Sequence, residues 1–338
     1  MPFLFTKKAK VFPAVFAIIS LLAIISGCGS NSASSENLDK VRLDYAYYSP
    51  TSLILKNFGW AEEDFEKEGI KVEWTLSQGS NKALEFLASN SVDFGSAAGA
   101  ATLITKSKGV PIKNIYVLSQ PEWTGLMSLD SSIQSPEDLA GKKVAATYGT
   151  DPYIFLLRSL HEKGLDPKQV EIVNLQHNDG YQALLKGDVD AWAGLDPIMA
   201  TAELESDAKI FYRNVDFNTY SFLNVRSEFA DKHPKEVKKV IELYEKARKW
   251  IIDNPEEAAA IIAKEADINL EVAKKQLERN NFTQPIPGNA QKNALQSAGE
   301  ILQSSDAITK DADIQQLIDD LIDPSISEEM IKQGGSYD

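Results

Sequence analysis

One cysteine, Cys28, is all the thiol this 338-residue chain has. A disulfide within the chain is excluded, and so is a metal site built on several thiolates. Histidine is scarce as well, and His161, His177 and His233 stand too far apart for metal-ligand spacing. Basic residues are outnumbered, with 35 Lys and Arg against 49 Asp and Glu and a formal net charge of −14. Such a balance does not gather phosphates, so no nucleic-acid partner is expected. Outside the N-terminus no apolar run approaches the length of a membrane span.

The lone cysteine sits where it means most. Lys7, Lys8 and Lys10 precede an apolar stretch over residues 11–25, and small residues follow in Ile25-Ser26-Gly27-Cys28. A basic end, an apolar segment and small residues before a thiol make an export signal of the lipoprotein kind. Pro13 and Ser20 interrupt the stretch and make it a poor transmembrane anchor. Residues 1–27 are read as the signal peptide, Cys28 as the lipidated N-terminus after cleavage, and the Ser- and Asn-rich residues 28–40 as a tether. Acyl chains contribute about 0.8 kcal/mol per buried methylene. The remaining chain is expected at the extracytoplasmic face of a bacterial cell membrane, held by lipid and more acidic once three lysines leave with the signal.

Beyond residue 40 the pattern alternates. Residues 41–47 read as a half-buried strand, followed by extended segments at 71–76, 92–95 and 114–119 and helical ones at 81–88 and 100–106. A second series follows Pro121-Glu122-Trp123. It has a capping box at Ser135-Pro136-Glu137-Asp138, strands at 143–146, 170–175 and 189–193, and helices at 151–163 and 180–186. This order predicts an α/β fold with helices on the sheet faces. The series echo each other: Ala83-Leu84 leads to Val92-Asp93-Phe94-Gly95, and Ala183-Leu184 leads to Val189-Asp190-Ala191-Trp192-Ala193-Gly194. Residues 220–225 read as a strand returning to the first series. From His233 onward only helices are expected, with Val237, Val240, Ile241, Tyr244 and Ile251 on one face and Asn254 capping the next helix. The expected division is lobe I at 41–123 plus 220–338 and lobe II at 124–219.

In open α/β sheets ligands bind at the carboxyl ends of strands, where loops enter helices. Five such loops carry small or hydrogen-bonding residues: Tyr48-Ser49-Pro50-Thr51-Ser52, Gln78-Gly79-Ser80-Asn81, Ser96-Ala97-Ala98-Gly99, Thr147-Tyr148-Gly149-Thr150-Asp151 and Gly194-Leu195-Asp196-Pro197. Free helix N–H groups beside hydroxyls and amides form an anion site without lysine or arginine. Tyr48, Trp123, Trp192 and Tyr220 are candidate walls, and Asp151 and Asp196 serve equally as ligand contacts or helix caps. His177-Asn178-Asp179 follows a strand, with either a cleft or a capping role.

These loops, with Asp138-Leu139-Ala140-Gly141-Lys142-Lys143-Val144-Ala145 and the Val-Asp turns, resemble the substrate-binding components of ABC importers for aliphatic sulfonates, taurine and nitrate, the SsuA/TauA group. The resemblance spans residues 41–282. It implies a two-lobe periplasmic-binding-protein type II fold with a hinge, C-terminal helices packed on the first lobe, and a ligand trapped between lobes. It further implies that Ser49, Thr51, Ser80, Ser96 and Thr150 meet an anionic head group and that Trp192 and Asp196 line the opposing lobe. The full set of expected ligand contacts adds Tyr48, Asn81, Trp123, Asp151 and Tyr220. The expected partners are a small organic anion, a membrane permease and, through it, an ATPase, with the chain working as a monomer. Two places depart from the family pattern, Asp151-Pro152 and Gly194-Leu195. A carboxylate there suits a zwitterion with an ammonium group better than a plain anion.

An enzyme would need a nucleophile with its base, paired carboxylates or a metal. None is recognisable, so no catalytic residue, metal or cofactor is expected. Pyrimidine-synthesising proteins of the thiamine pathway share the fold, but the Cys-rich motif expected of them is missing here.

Overall fold

A computed structural model describes residues 38–332. The export signal, Cys28 and the tether up to residue 37 lie outside the described residues, and Lys40, placed in the tether, already pairs in the first strand. In chain order the strands are β1 (Lys40–Tyr45), β2 (Lys71–Leu76), β3 (Phe94–Ala98), β4 (Ile112–Pro121), β5 (Thr124–Ser128), β6 (Lys143–Ala146), β7 (Glu171–Asn174), β8 (Ala191–Leu195), β9 (Lys209–Tyr212), β10 (Ser221–Arg226) and β11 (Asn280–Asn281). Helices α1 (Pro50–Phe58), α2 (Trp60–Glu66), α3 (Ser80–Ala88), α4 (Gly99–Ser107), α5 (Asp151–Glu162), α6 (His177–Lys186) and α7 (Ile198–Glu205) lie between strands. Then come α8 (Ser227–Lys232), α9 (Pro234–Asp253), α10 (Pro255–Ala266), α11 (Leu270–Glu278), α12 (Asn289–Ser304), α13 (Ile314–Leu321) and α14 (Ser325–Lys332).

The strands form two sheets, ordered β11-β4-β10-β3-β1-β2 and β7-β6-β8-β5-β9. Each contains three parallel strands, β2-β1-β3 in one and β7-β6-β8 in the other. In each an antiparallel strand follows, β10 beside β3 and β5 beside β8. The sequence echo has a hydrogen-bonding reason. Asp93 donates its N–H to Arg42 O and accepts the Arg42 N–H on its carboxylate, at 2.8 and 2.9 Å. Asp190 does the same with Lys143, at 2.8 and 2.8 Å. Each aspartate thus pins the lead-in of one strand to its neighbour. That is why β3 and β8 both begin two residues later than the sequence pattern suggested.

Burial follows the periodic faces. Helix α9 presents Val237, Val240, Ile241 and Tyr244 to Val41, Leu43, Phe94 and Leu223 of the first sheet. On that sheet's other face α4, α12 and α13 enclose Ala97, Leu103, Leu295, Leu302 and Ile318. The C-terminal helices therefore pack on the first sheet, each fully buried aliphatic side chain contributing about 1.5–3 kcal/mol. The second sheet lies between α5, through Leu156 and Leu160, and the α6–α7 pair, through Leu184 and Met199. Asn254 departs from its expected role: its amide donates to Trp250 O at 3.0 Å, finishing α9, and α10 starts at Pro255 without a side-chain cap. Among the described residues no helix is long and apolar enough to cross a membrane.

The chain leaves the first sheet between Pro121 and Thr124 and returns before Ser221. At the return Tyr220 has φ +63°, a left-handed conformation that a tyrosine adopts at some cost. Asn218 secures it by accepting the Tyr220 N–H at 2.7 Å, while Gly99 N–H donates to Tyr220 O at 3.1 Å.

The two echoed aspartates differ in surroundings. Asp93 is buried and holds both Arg42 and Arg226, at 2.6 and 2.7 Å, whereas Asp190 is part exposed with Lys142 only at 3.7 Å. Removing one partner of a buried ion pair costs about 3–5 kcal/mol, and losing an ordinary hydrogen bond about 1 kcal/mol. Asp93→Ala should therefore cost about 3 kcal/mol in a urea unfolding titration and Asp190→Ala about 1 kcal/mol. Equal losses would contradict this account of the pair.

Candidate functional site

The parallel strands of both sheets run into helices at their carboxyl ends. Helices α1, α3, α5 and α6 follow β1, β2, β6 and β7, and none has a side-chain cap bond at its N-terminus. Apart from Pro50 and Pro152, which carry no N–H, and Ser52 and Lys82, whose N–H groups reach Ser49 O and Gly79 O at 3.1 and 2.9 Å, their first-turn N–H groups have no partner inside the helix and carry the positive end of its dipole. The ends from one sheet face those from the other. A Cβ added at Gly79, before α3, would meet His177 Nε2 of α6 at 2.9 Å, and one at Gly149, before α5, would lie 3.7 Å from Asn81 Cβ. Only glycine at 79 allows so close an approach. An open cleft of about 650 Å³ lies beside this contact, lined by Tyr48, Gln78, His177, Asp179, Asp196 and Glu205 among others. Among the described residues no lysine or arginine lines it.

The expected contact residues divide by what their polar atoms already do. Ser49 Oγ, Thr51 Oγ1 and Asn81 Oδ1 are buried without a hydrogen-bond partner. An unpaired buried polar atom costs about 1–3 kcal/mol, so these three await a partner. Ser80 Oγ instead accepts Ala98 N–H at 3.0 Å, Ser96 Oγ donates to Asp44 at 3.0 Å, and Thr150 Oγ1 donates to Thr147 O at 2.6 Å. Tyr48 lines the cleft while its hydroxyl donates to Ser96 O at 2.8 Å. Trp192 lies in the core, its indole Nε1 2.9 Å from where Gly180 would carry a Cβ and its ring 5.6 Å from that of Tyr181. Tyr220 is buried against Phe222 at the chain's return to the first sheet.

Both aspartates bond within the protein. Asp151 accepts from Trp123 Nε1 at 2.8 Å and from Thr219 Oγ1 at 2.8 Å. Trp123 in turn meets Tyr48 edge-on at 5.8 Å, so the start of α5 is bound to both crossing segments and to the first sheet. Burial raises the Asp151 carboxyl above its usual range, against these two donors. Asp196 caps α7 through Ala200 N–H at 3.0 Å and pairs with Arg279 at 2.9 Å. Burial pushes Asp196 up to about 6 although Arg279 pulls the other way. Arg279 also pairs with Glu203, joining the segment after α11 to α7.

Sequence reasoning left two residues out of the expected set. Gln176 Oε1 and His177 Nε2 are both buried and unpartnered at the start of α6. The sequence pattern predicts this helix only from residue 180, three residues late. Arg279 carried no local signal at all, since its partner Asp196 lies 83 positions earlier.

Two equivalent α/β sheets with helix ends facing across a cleft define the periplasmic-binding-protein fold. The solved alkanesulfonate-binding protein SsuA of Xanthomonas axonopodis pv. citri, bound to MOPS, superposes with a TM-score of 0.75 at 18% identity, covering 84% of this chain and 98% of that one. The chain belongs to the NMT1/THI5-like family, whose model matches residues 60–258. A Bacillus subtilis (strain 168) protein bearing the name of an aliphatic sulfonates-binding protein is 29% identical over 312 residues, 90% of this chain and 94% of that protein. The taurine-binding periplasmic protein of Escherichia coli (strain K12) is 31% identical over 205 residues, 58% of this chain and 62% of its own.

Beneath the loops lies one more carboxyl. Asp44, fully buried in β1, accepts Ser96 N–H at 2.8 Å, and burial lifts it to about 7 against that bond and the Ser77 and Ser96 hydroxyls. Between its ordinary value of 3.8 and about 7 the folded chain keeps a proton that the unfolded chain has released. This contribution to stability is present at low pH and lost as pH rises through about 7. Asp44→Asn lacks the titration, so urea unfolding at pH 5 and pH 8 should show the variant gaining on wild type by roughly 1 kcal/mol or more at the higher pH. A difference independent of pH would show that Asp44 stays ionised in the fold.

Proposed function

We propose that this chain is the extracytoplasmic substrate-binding component of an ABC importer and captures a small organic anion, an aliphatic sulfonate or related sulfur compound, between two lobes. One observation carries the reading. Uncapped helix ends α1, α3, α5 and α6 gather beside a cleft that no lysine or arginine among the described residues lines, next to the buried, unpartnered hydroxyls of Ser49 and Thr51. Backbone N–H groups of this kind bind sulfonate or phosphate oxygens with no formal positive charge. The named relatives support the sulfonate head group.

In this reading lobe I comprises residues 41–123 and 220–338 and lobe II residues 124–219, closing about hinges near 121–126 and 219–225. Ligand passes to a permease driven by its ATPase, the protein acts as a single copy without catalysis, and acyl chains on Cys28 keep it at the membrane. The Ser49 and Thr51 hydroxyls donate to the head group, and Asn81 reaches it through its side-chain NH2 group. Tyr48, Trp123, Asp151 and Asp196 shape the cleft and tie its walls.

Calorimetry of the full chain against alkanesulfonates, taurine, nitrate and a thiamine pyrimidine precursor tests the ligand class. Micromolar or tighter binding of a sulfonate is expected, and binding of the pyrimidine alone would replace the sulfonate reading. Metabolic labelling with a fatty-acid analogue tests the anchor: label should be present on wild type and absent from Cys28→Ala, and label on the alanine variant would refute lipidation at Cys28.

A further inference from the structure

His177 is a buried polar side chain at the cleft that the anion reading leaves without a task. The residue is 2% exposed, and among the described residues Nε2 has no hydrogen-bond partner. The other ring nitrogen, Nδ1, lies 3.2 Å from Thr147 Oγ1. Thr147 Oγ1 is itself 2.6 Å from Leu175 O. A carbonyl oxygen brings no proton, so that short contact takes the only proton the threonine hydroxyl has. Toward His177 the Thr147 oxygen can then only accept, and the hydrogen-bond network assigns the imidazole proton to Nδ1. Burial pushes the His177 imidazole down to about 3, so it carries no second proton. Nε2 is therefore a bare lone pair, sealed from water and waiting for a donor.

Its surroundings agree. Asn81 Oδ1, also unpartnered, and His177 Nε2 lie 2.8 and 2.9 Å from the point where Gly79 would carry a Cβ, so two acceptors from opposite sheets crowd one small space. Asp179 and Glu205 line the cleft on the same side as His177. Asp196 there is matched by Arg279, so Asp179 and Glu205 give this side of the cleft its negative field. Helix N-termini favour an anion, whereas this wall favours a donor.

Resting on the anion reading above, we propose that His177 Nε2 accepts a hydrogen bond from the ligand, and that the site selects anions bearing an ammonium or hydroxyl donor over unsubstituted ones. A plain alkanesulfonate leaves a buried acceptor unpaired, and sites built to hydrogen-bond a ligand group reject analogues that lack it. The expected discrimination is about tenfold or more.

Three probes share a sulfonate and a two-carbon body: taurine with an amine, isethionate with a hydroxyl and ethanesulfonate with neither. Calorimetry on the full chain should find the first two bound at least about tenfold more tightly than the third. His177→Phe fills similar space without an acceptor; it should bring all three within about threefold while still binding ethanesulfonate. Equal affinities in wild type, or a preference surviving in His177→Phe, would overturn the proposal. Nitrogen-15 NMR of the histidine rings in the unsubstituted protein reads the second leg without any ligand. A proton on Nδ1 and none on Nε2 is expected, and a proton on Nε2 would overturn the assignment whatever binds. Failure of all three sulfonates to bind, with Nδ1 protonated, would sink the sulfonate reading and leave the acceptor established.

Discussion

Unfinished hydrogen bonding where helix ends of two sheets meet is the constraint on which the rest depends. A folded chain pairs nearly all its buried polar groups, and each that it leaves unpaired costs about 1–3 kcal/mol. Here Ser49, Thr51, Asn81, Gln176 and His177 remain unpaired at helix ends that also lack side-chain caps. These residues come from two different sheets, so no local rearrangement within one of them can satisfy the set. In the proposed reading a ligand brings acceptor oxygens to the N–H groups and hydroxyls of one sheet and a donor to His177 of the other.

The two sheets can present matching helix ends because they are built alike. Three parallel strands deliver three helices in each, and Asp93 and Asp190 fix the neighbouring strands by the same pair of backbone bonds. What differs is how the halves are joined. Asp151 holds Trp123 and Thr219, and Asp196 holds Arg279, so both carboxylates act as ties between segments that belong to different sheets. Gly79 contributes by having no side chain where α3 meets α6. The site is thus assembled from contacts that are almost all long-range.

That explains what the amino-acid pattern discloses and what it withholds. Strands β1, β2 and β6 and the α9 face are legible because alternation and the 3.6-residue period are local properties. Strand β5, Thr124–Ser128, buried along its last four residues, and edge strand β9, Lys209–Tyr212, with three half-buried residues in a row, do not alternate, and neither is visible in advance. The loops that form the site are recognisable by their small polar residues. Which hydroxyls remain free is not: Ser80 and Ser96 are spent on Ala98 and Asp44, while Ser49 and Thr51 are spared. Nothing within a few residues distinguishes the two pairs. The sequence pattern places the zwitterion preference on Asp151 and Asp196, but their oxygens have protein partners, whereas His177 Nε2 is an unpaired acceptor.

The claim that backbone donors from both sheets hold the anion is open to one direct measurement, a nitrogen–proton NMR titration of the full chain with taurine. The account predicts the largest downfield amide shifts in the first turns of α1, α3, α5 and α6 together, saturating with a single affinity. Shifts confined to helix ends of one sheet, or clustered at lysine- and arginine-bearing surface helices such as α9, would contradict it.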